Sequence, residues 1–159
     1  MTATMITTGT VSLEPPAGFV STPLDNLELA GTFTVPLGDE YATASLVMEV
    51  RPLLAAATVE DLRQAVAERN PQADVRVVSL PAGRAVVMVR AGDYRLPPEL
   101  TGQSETQVIP SIGVQVMLPA PSGRQVVVLD CSTSSEQAWP LVAEEADATA
   151  RSIHYGSAS

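Results

Sequence analysis

Cys131 and His154 are the two side chains of this sequence whose types best suit nucleophilic and acid–base chemistry, and the chain has one residue of each type. Cys131 ends a valine-rich run, and His154 follows an apolar stretch with helical spacing that begins soon after the cysteine. A helix rises about 1.5 Å per residue, so we expect the two side chains to lie about 25 Å or more apart. We therefore interpret Cys131 as a small buried residue and His154 as a surface histidine near a helix C-terminus.

Other patterns that carry chemistry are missing from the sequence. The run from Ser132 to Ser135 could present hydroxyl and N–H groups to an anion at a helix start, although such residues ordinarily cap the helix. There is no nucleophile elbow, phosphate-binding loop, dinucleotide-binding glycine pattern, CxxC pair or HExxH pair. We therefore expect no catalytic residue, no metal site and no cofactor, and a protein that is not an enzyme.

Two stretches of the chain resemble each other: LPAGRAVVMVR from Leu80 and LPAPSGRQVVVLD from Leu118. Each places proline and glycine between valine-rich runs, which is the pattern of a β-hairpin turn. Each also has an arginine, Arg84 or Arg124, directly after the glycine. These arginines could hold an acidic partner at one edge of a sheet, or they could keep the hairpin ends soluble and discourage edge pairing.

The segment from Ala91 to Gln107 is polar, contains two glycines and a Pro-Pro pair, and is predicted to be a long loop. Such a loop is either a functional surface or a flexible polar connection, and both interpretations stay open. Tyrosine and arginine carry much of the binding energy at interfaces, and loops on a rigid scaffold often hold function. The candidate partner-binding residues are Arg90, Asp93, Tyr94, Arg95 and Leu96, with Arg84 and Arg124 as a second group.

Alternating apolar residues predict the strands that must position these side chains. The clearest runs from Ala44 to Arg51 and places Leu46, Met48 and Val50 on one face. Further strands are predicted over 8–14, 27–36, 74–80, 84–90, 114–118 and 124–131, and the glycine at 31 is a candidate bulge.

Two amphipathic helices are also predicted. The first runs from Thr58, its N-cap, to Asn70, which precedes a proline. The second runs from about Trp139 to Ile153, and Ser135 or Ser134 is its predicted cap. The order β-β-β-α-β-β-β-β-α predicts an α+β sandwich, in which an antiparallel β-sheet of about six to seven strands carries both helices. We expect a single domain over 1–159, with frayed ends at 1–7 and 155–159.

Composition excludes several classes of partner. The net charge is −9, and all nine basic residues are arginine. Nucleic-acid backbones and anionic lipid surfaces attract clustered basic residues, so neither is an expected partner. No apolar run is long enough to cross a membrane. The N-terminal residues lack the basic and apolar regions of a signal peptide, so we expect a cytoplasmic location.

The chain resembles the PsbP-like superfamily. The residues that carry the resemblance are PAGFVST near the start, the GRAVVMV strand, the QVVVLDCST strand that leads into a helix, and the helix end ATARSIHY. That superfamily includes an extrinsic photosystem subunit, the Ran-binding Mog proteins, and small actinobacterial proteins, of which this chain looks like one. The resemblance implies an antiparallel sheet between helices, mostly non-catalytic function through binding of other proteins, and no shared active-site residues.

These observations favour a non-catalytic protein–protein interaction module, such as an accessory or adaptor subunit of a larger assembly. The alternative is a carrier of a small ligand, held in a pocket between the sheet and the helices. An exposed apolar patch near Tyr94 would favour the first function. A concave apolar cavity would favour the second.

Overall fold

Two antiparallel sheets and three helices make up the part of the chain that the computed structural model describes, which is residues 6–8, 11–22, 29–53, 57–96, 98–102, 104–105, 107–121 and 123–155. The strands are β1 (Ile6–Thr8), β2 (Val11–Leu13), β3 (Val20–Ser21), β4 (Leu29–Leu37), β5 (Glu40–Pro52), β6 (Asp74–Leu80), β7 (Gly83–Leu96), β8 (Gln107–Pro119), β9 (Gln125–Thr133) and β10 (His154–Tyr155). The helices are α1 (Val59–Arg69), α2 (Pro98–Thr101) and α3 (Trp139–Arg151).

The larger sheet has seven strands in the order β3-β4-β5-β9-β8-β7-β6, and every neighbouring pair is antiparallel. The smaller sheet has the order β1-β2-β10. The predicted α+β sandwich with an antiparallel sheet is thus confirmed. Four short elements were not predicted, namely β1, β3, α2 and β10.

The two similar stretches of sequence both form β-hairpin turns, of different lengths: two residues separate β6 from β7, and five separate β8 from β9. One turn joins β6 to β7 and the other joins β8 to β9, and β7 pairs with β8. Because all three pairs are antiparallel, both turns lie at the same end of the sheet. Gly83 and Gly123 have φ values of 150° and 71°, which L side chains rarely adopt.

Helix α3 packs on one face of the large sheet, which we call the α3 face. Alternate strand residues point to this face, as the period of two requires. The core under α3 includes Phe33, Leu46, Met48, Leu118, Leu129, Val142 and Ile153. In α3 the buried positions Val142, Ala146 and Ala150 follow helical spacing, as predicted. Among the described helices, none is long and apolar enough to cross a membrane.

Helix α1 packs on part of the opposite face, which we call the α1 face. Thr58 caps the helix: its hydroxyl accepts from the Asp61 N–H at 3.1 Å, and its own N–H donates to the Asp61 carboxylate at 3.0 Å. Half-buried Val59, Leu62 and Val66 pack on a second apolar cluster, as the predicted stripe requires. The buried members of that cluster are Val86, Met88, Met117 and Val126.

Three local predictions need correction. The predicted serine cap of α3 is wrong, because the N-cap is Ala138, whose N–H donates to the Ser135 hydroxyl at 3.2 Å. Gly31 is not a bulge, because β4 and β5 pair in regular register through it; a side chain there would collide with the Val20 carbonyl oxygen. The predicted fraying does not extend to Tyr155, which pairs with Val11 and donates its hydroxyl to the Leu118 carbonyl at 3.0 Å. Ile6–Thr8 likewise form β1, whereas 1–5 and 156–159 lie outside the described residues.

Candidate protein-binding surface

The strands β7 and β8 extend beyond their neighbours and form a two-stranded arm. Toward the arm, the pairing of β7 with β6 ends at Val89. The pairing of β8 with β9 ends in the same direction at Ile112. Beyond them, Gly92–Leu96 pairs only with Gln107–Ser111 among the described residues, and we call this ribbon the arm. At about 3.3 Å per residue the arm is about 17 Å long.

The arm corrects the prediction of a long loop between Ala91 and Gln107. The backbones of Asp93, Tyr94, Arg95 and Leu96 are strand, and the side chains of these residues lie outside the described part of the structure. The strand was not predicted from the sequence, because apolar and polar residues alternate clearly only where one face of a strand is buried. Val108 and Ile109 are neighbours in the chain and so point to opposite faces of the arm, and both are exposed, so the alternation is lost at these residues.

The arm exposes apolar side chains. Val108 is 51% exposed and Ile109 is 38% exposed. Their backbones pair with those of Arg95 and Tyr94, respectively. The structure therefore pairs exposed apolar residues with the segment that the sequence analysis proposed as a binding surface because it contains Tyr94 and Arg95.

A polar depression of about 300 Å³ lies at the base of the arm. Its lining consists of Arg90, Ala91, Gly92, Ser111, Gly113, Val114, Gln115, Asp130 and Ser132. The side chains of Leu129 and Cys131 point into the core under α3, so Asp130 and Ser132 point to the α1 face. The depression therefore occupies the part of this face that α1 leaves open.

The strand register explains how the depression forms. Gly113 has Arg90 as its Cα partner on one side and Ser132 on the other. Because glycine has no side chain, none stands between the arginine and the serine, and Ser132 lies close to the Gly113 backbone, with its Cβ 3.1 Å from where a Gly113 Cβ would be. Gly92 and its partner Ser111 extend the depression toward the arm.

Asp130 is the half-buried charge of the depression. Burial raises the pKa of its carboxyl, and this effect outweighs the opposing attraction of the Arg90 guanidinium and the hydrogen bond from Gln115. The Gln115 Nε2 donates to Asp130 Oδ2 at 3.4 Å, which is a long hydrogen bond. Among the described residues, no arginine forms an ion pair with Asp130.

Arg84 and Arg124, the second group of candidates, lie at the opposite end of the sheet from the arm. Arg84 Nη2 lies 3.2 Å from Glu60 Oε1 and so ties the β6–β7 turn to α1. It is six residues before Arg90 on the same strand, or about 20 Å away. The Arg124 carbonyl accepts from the Leu53 N–H at 2.8 Å, near the start of the same helix. The structure thus divides the predicted surface, and only the arm and Arg90 belong together.

The two side chains that suit nucleophilic chemistry lie elsewhere. Cys131 is buried in the core under α3, and burial, together with Asp130 and Glu145, raises the pKa of its thiol to about 12. A thiol with that pKa stays protonated at neutral pH and is a poor nucleophile. His154 is exposed on β10. Among the described residues, no group of three or more His, Cys, Asp and Glu side chains could hold a metal ion.

Sequence reasoning missed Ser111, Gln115, Asp130 and the two glycines of the depression, and it considered Ser132 only as part of an anion site or cap at the start of a helix. Asp130 gives no signal of its own, because an acidic residue between two apolar ones is the ordinary alternation of a half-buried strand. The other residues become neighbours only through the register of three strands.

No protein-family model matches the chain, and no curated protein matches it in sequence. A structure from Bacteroides thetaiotaomicron matches 99% of the chain with a TM-score of 0.63 and 9% identity, and the chain spans only 50% of that protein. The Saccharomyces cerevisiae Ran-binding protein Mog1p matches 92% of the chain, and 90% of its own length, with a TM-score of 0.50 and 8% identity. At these identities the similarity shows the fold alone. It agrees with the antiparallel sheet and helices that the resemblance implies.

Proposed function

We propose that this chain is a non-catalytic protein-interaction module, an accessory or adaptor subunit of a larger assembly, which binds another protein with the arm and the depression at its base. The proposed setting is the cytoplasm. The observation that carries the proposal is the arm itself. Two-stranded ribbons are marginally stable alone in water, and this one also exposes Val108 and Ile109. A partner that covered the arm would bury these side chains and stabilise the ribbon.

The composition of the surface supports the same conclusion. Interfaces combine apolar anchors with a polar rim, and tyrosine and arginine are enriched among the residues that carry binding energy. The arm supplies apolar residues, and the depression supplies polar ones. Mog1p, a protein of similar fold, is a Ran-binding protein, and this supports the same class of function here, with a partner of its own.

Affinity capture from a lysate of the source organism tests the proposal. We expect wild type to capture one abundant partner and the R90A/Y94A/R95A triple variant to lose it. Each substitution shortens a residue type that anchors interfaces. Quantitative mass spectrometry of the captured protein is the measurement.

A matched control has the same three residue types on other surfaces. Tyr41, Arg51 and Arg76 are all exposed, so Y41A/R51A/R76A removes equal bulk and charge away from the arm. We expect this variant to capture the partner as wild type does. Equal capture by both triple variants would exclude the arm as the binding surface.

A second candidate function rests on an apolar groove of about 210 Å³ between α3 and the sheet. Valines of β6, β7 and β8 line it on one side, and Trp139, Ala143, Ala146 and Ala150 line it on the other. This groove supports the alternative of a small-ligand carrier, since ligand pockets are concave and mostly apolar. Native mass spectrometry tests it: a co-purified small molecule that Ala146→Leu displaces would favour the carrier.

A further inference from the structure

Gly92 has none of the usual structural reasons to be glycine. Its φ lies outside the left-handed region, and it pairs with Ser111 in regular register. No atom lies within 4 Å of the position that a Cβ would occupy. A glycine inside a strand weakens that strand, and the remaining reason to find one there is the close approach of a ligand or another chain.

The walls around Gly92 and Gly113 offer several hydrogen-bond acceptors beside the donors of Arg90. Asp130 contributes a carboxylate, Gln115 an amide oxygen, and Ser111 and Ser132 contribute hydroxyls that can accept or donate. The half-buried carboxylate of Asp130 has one long hydrogen bond from Gln115 and no ion pair with a described arginine. A carboxylate withdrawn from water in this way gains most from a cation that brings several donors.

We propose that the depression binds the guanidinium group of an arginine side chain of the partner protein, which lies flat over Gly92 and Gly113 and donates to Asp130. This inference rests on the proposed function and names the chemistry of the partner. A guanidinium is planar and carries five N–H donors in a fixed fork, which suits a flat floor with acceptors at its rim. The net charge of −9 favours a basic partner surface in the same way.

Arg90, at the edge of the depression, does not oppose this binding strongly. Its side chain is exposed, so water and salt screen its charge. Asp130 is half-buried, so its charge acts at short range with less screening. A charged group that enters the depression is therefore influenced more strongly by the charge of Asp130 than by that of Arg90.

A titration with small probes tests the arginine without the partner. The full chain, labelled with ¹⁵N, is titrated with N-acetyl-arginine methylamide, and the amide shifts of Gly92, Gly113 and Ser132 are followed by NMR. The matched probe N-acetyl-citrulline methylamide has the same shape and no charge. We expect saturable shifts with the arginine probe, and affinity at least about tenfold weaker for citrulline, because hydrogen bonds to charged groups are the stronger ones.

Three variants locate the binding. Asp130→Asn keeps the size of the side chain and removes its charge, so we expect about tenfold weaker binding of the arginine probe. Gly92→Val fills the open space over the floor and should abolish binding. Thr34→Val places a valine on the exposed side of β4 and should leave binding unchanged, which controls for an altered sheet surface.

The proposal is overturned if citrulline binds as well as arginine, if D130N binds as well as wild type, or if no saturable shift appears at these amides. Tighter binding of an N-acetyl-glutamate probe would also overturn it and would assign the depression to an acidic group held by Arg90. These outcomes are separate from the capture experiment. A partner captured by the arm without any response to arginine removes only this inference, whereas a response to arginine without any captured partner removes the proposed function.

Discussion

The α1 face of the large sheet has two halves, one under α1 and one open, and the same three strands cross both. The residue types change together along these strands. From the covered half to the open half, β7 passes from Met88 to Arg90 and Gly92, β8 from Met117 to Gln115 and Gly113, and β9 from Val126 to Asp130 and Ser132.

This change in residue types distinguishes the half of the face that is packed under α1 from the half that is open. Where α1 lies on the strands, the face is apolar. Its burial under the helix removes apolar surface from water and stabilises the fold. Where α1 is absent, the face carries charges, hydroxyls and glycines, which contribute little to a core. The covered half therefore contributes to the stability of the fold, and the open half is the surface to which we assign binding.

The largest effect is expected from shortening a side chain in the covered half. Met88 is 3% exposed, so Met88→Ala should lower the free energy of unfolding by about 2–5 kcal/mol. Its Cα partner Gln115 lies on the same face in the open half, and Gln115→Ala should cost less than about 1 kcal/mol. Urea unfolding of both variants measures the difference. Equal losses would mean that the two halves contribute alike to stability.

The two glycines of the depression should respond in opposite directions to the same added methyl group. A Cβ at Gly113 would lie 3.1 Å from the Ser132 Cβ and 3.2 Å from the Cys131 carbonyl oxygen. Gly113→Ala should therefore cost about 1–3 kcal/mol, because neighbouring strands must shift. Gly92→Ala meets no atom within 4 Å and should stabilise the fold by about 0.4–1 kcal/mol, through a less flexible unfolded chain.

Thermal and urea unfolding of the two glycine variants measure these changes. A loss of stability in Gly92→Ala would reveal a packing reason for that glycine. It would then remove the first step of the inference that the depression receives an arginine.

Much of the fold could be predicted from the sequence, because its signals are local. The first helix is an example: its cap, its apolar stripe and its stop at Asn70 all appear within thirteen residues, and the structure begins α1 at Val59 and ends it at Arg69. The strand from Asp74 to Leu80 was predicted to its ends, since a turn follows it directly. Elements with one buried face and clear ends show themselves in the sequence.

The candidate surface could be predicted only in part. Tyrosine and arginine indicated the residues around Arg90, but the strand conformation of the arm was not predicted, because alternation is clear only where one face of a strand is buried and neighbouring Val108 and Ile109 are both exposed. The depression depends on register, since Gly113, Arg90 and Ser132 are far apart in sequence and become neighbours through β7, β8 and β9. Composition could not align these strands, so Asp130 was not recognised.

The smallest effect is expected from the charge of Asp130, and its dependence on pH is the informative part. Burial raises the pKa of this carboxyl in the folded state above its unfolded value. The folded chain therefore holds the proton more tightly, and the ionised group lowers stability as the pH rises from the unfolded pKa through the folded one. Asp130→Asn removes this penalty, so its stability relative to wild type should be greater at about pH 7 than at about pH 3, as measured by urea unfolding at both values.

Asp61 in the cap of α1 supplies a control of opposite sign. The backbone N–H of Thr58 donates to its carboxylate and, together with the Thr58 side chain, lowers the pKa. Its contribution to stability is present above the unfolded pKa and is lost as the pH falls through the folded one. Asp61→Asn should therefore compare less favourably with wild type at about pH 7 than at about pH 3. If the stability of both variants relative to wild type changed in the same direction between about pH 3 and about pH 7, the change would reflect the charge of the whole chain and not the two sites. Opposite directions would show that a carboxylate stabilises the fold at the edge of the covered half and weakens it in the open half, where a partner's cation would offset the cost.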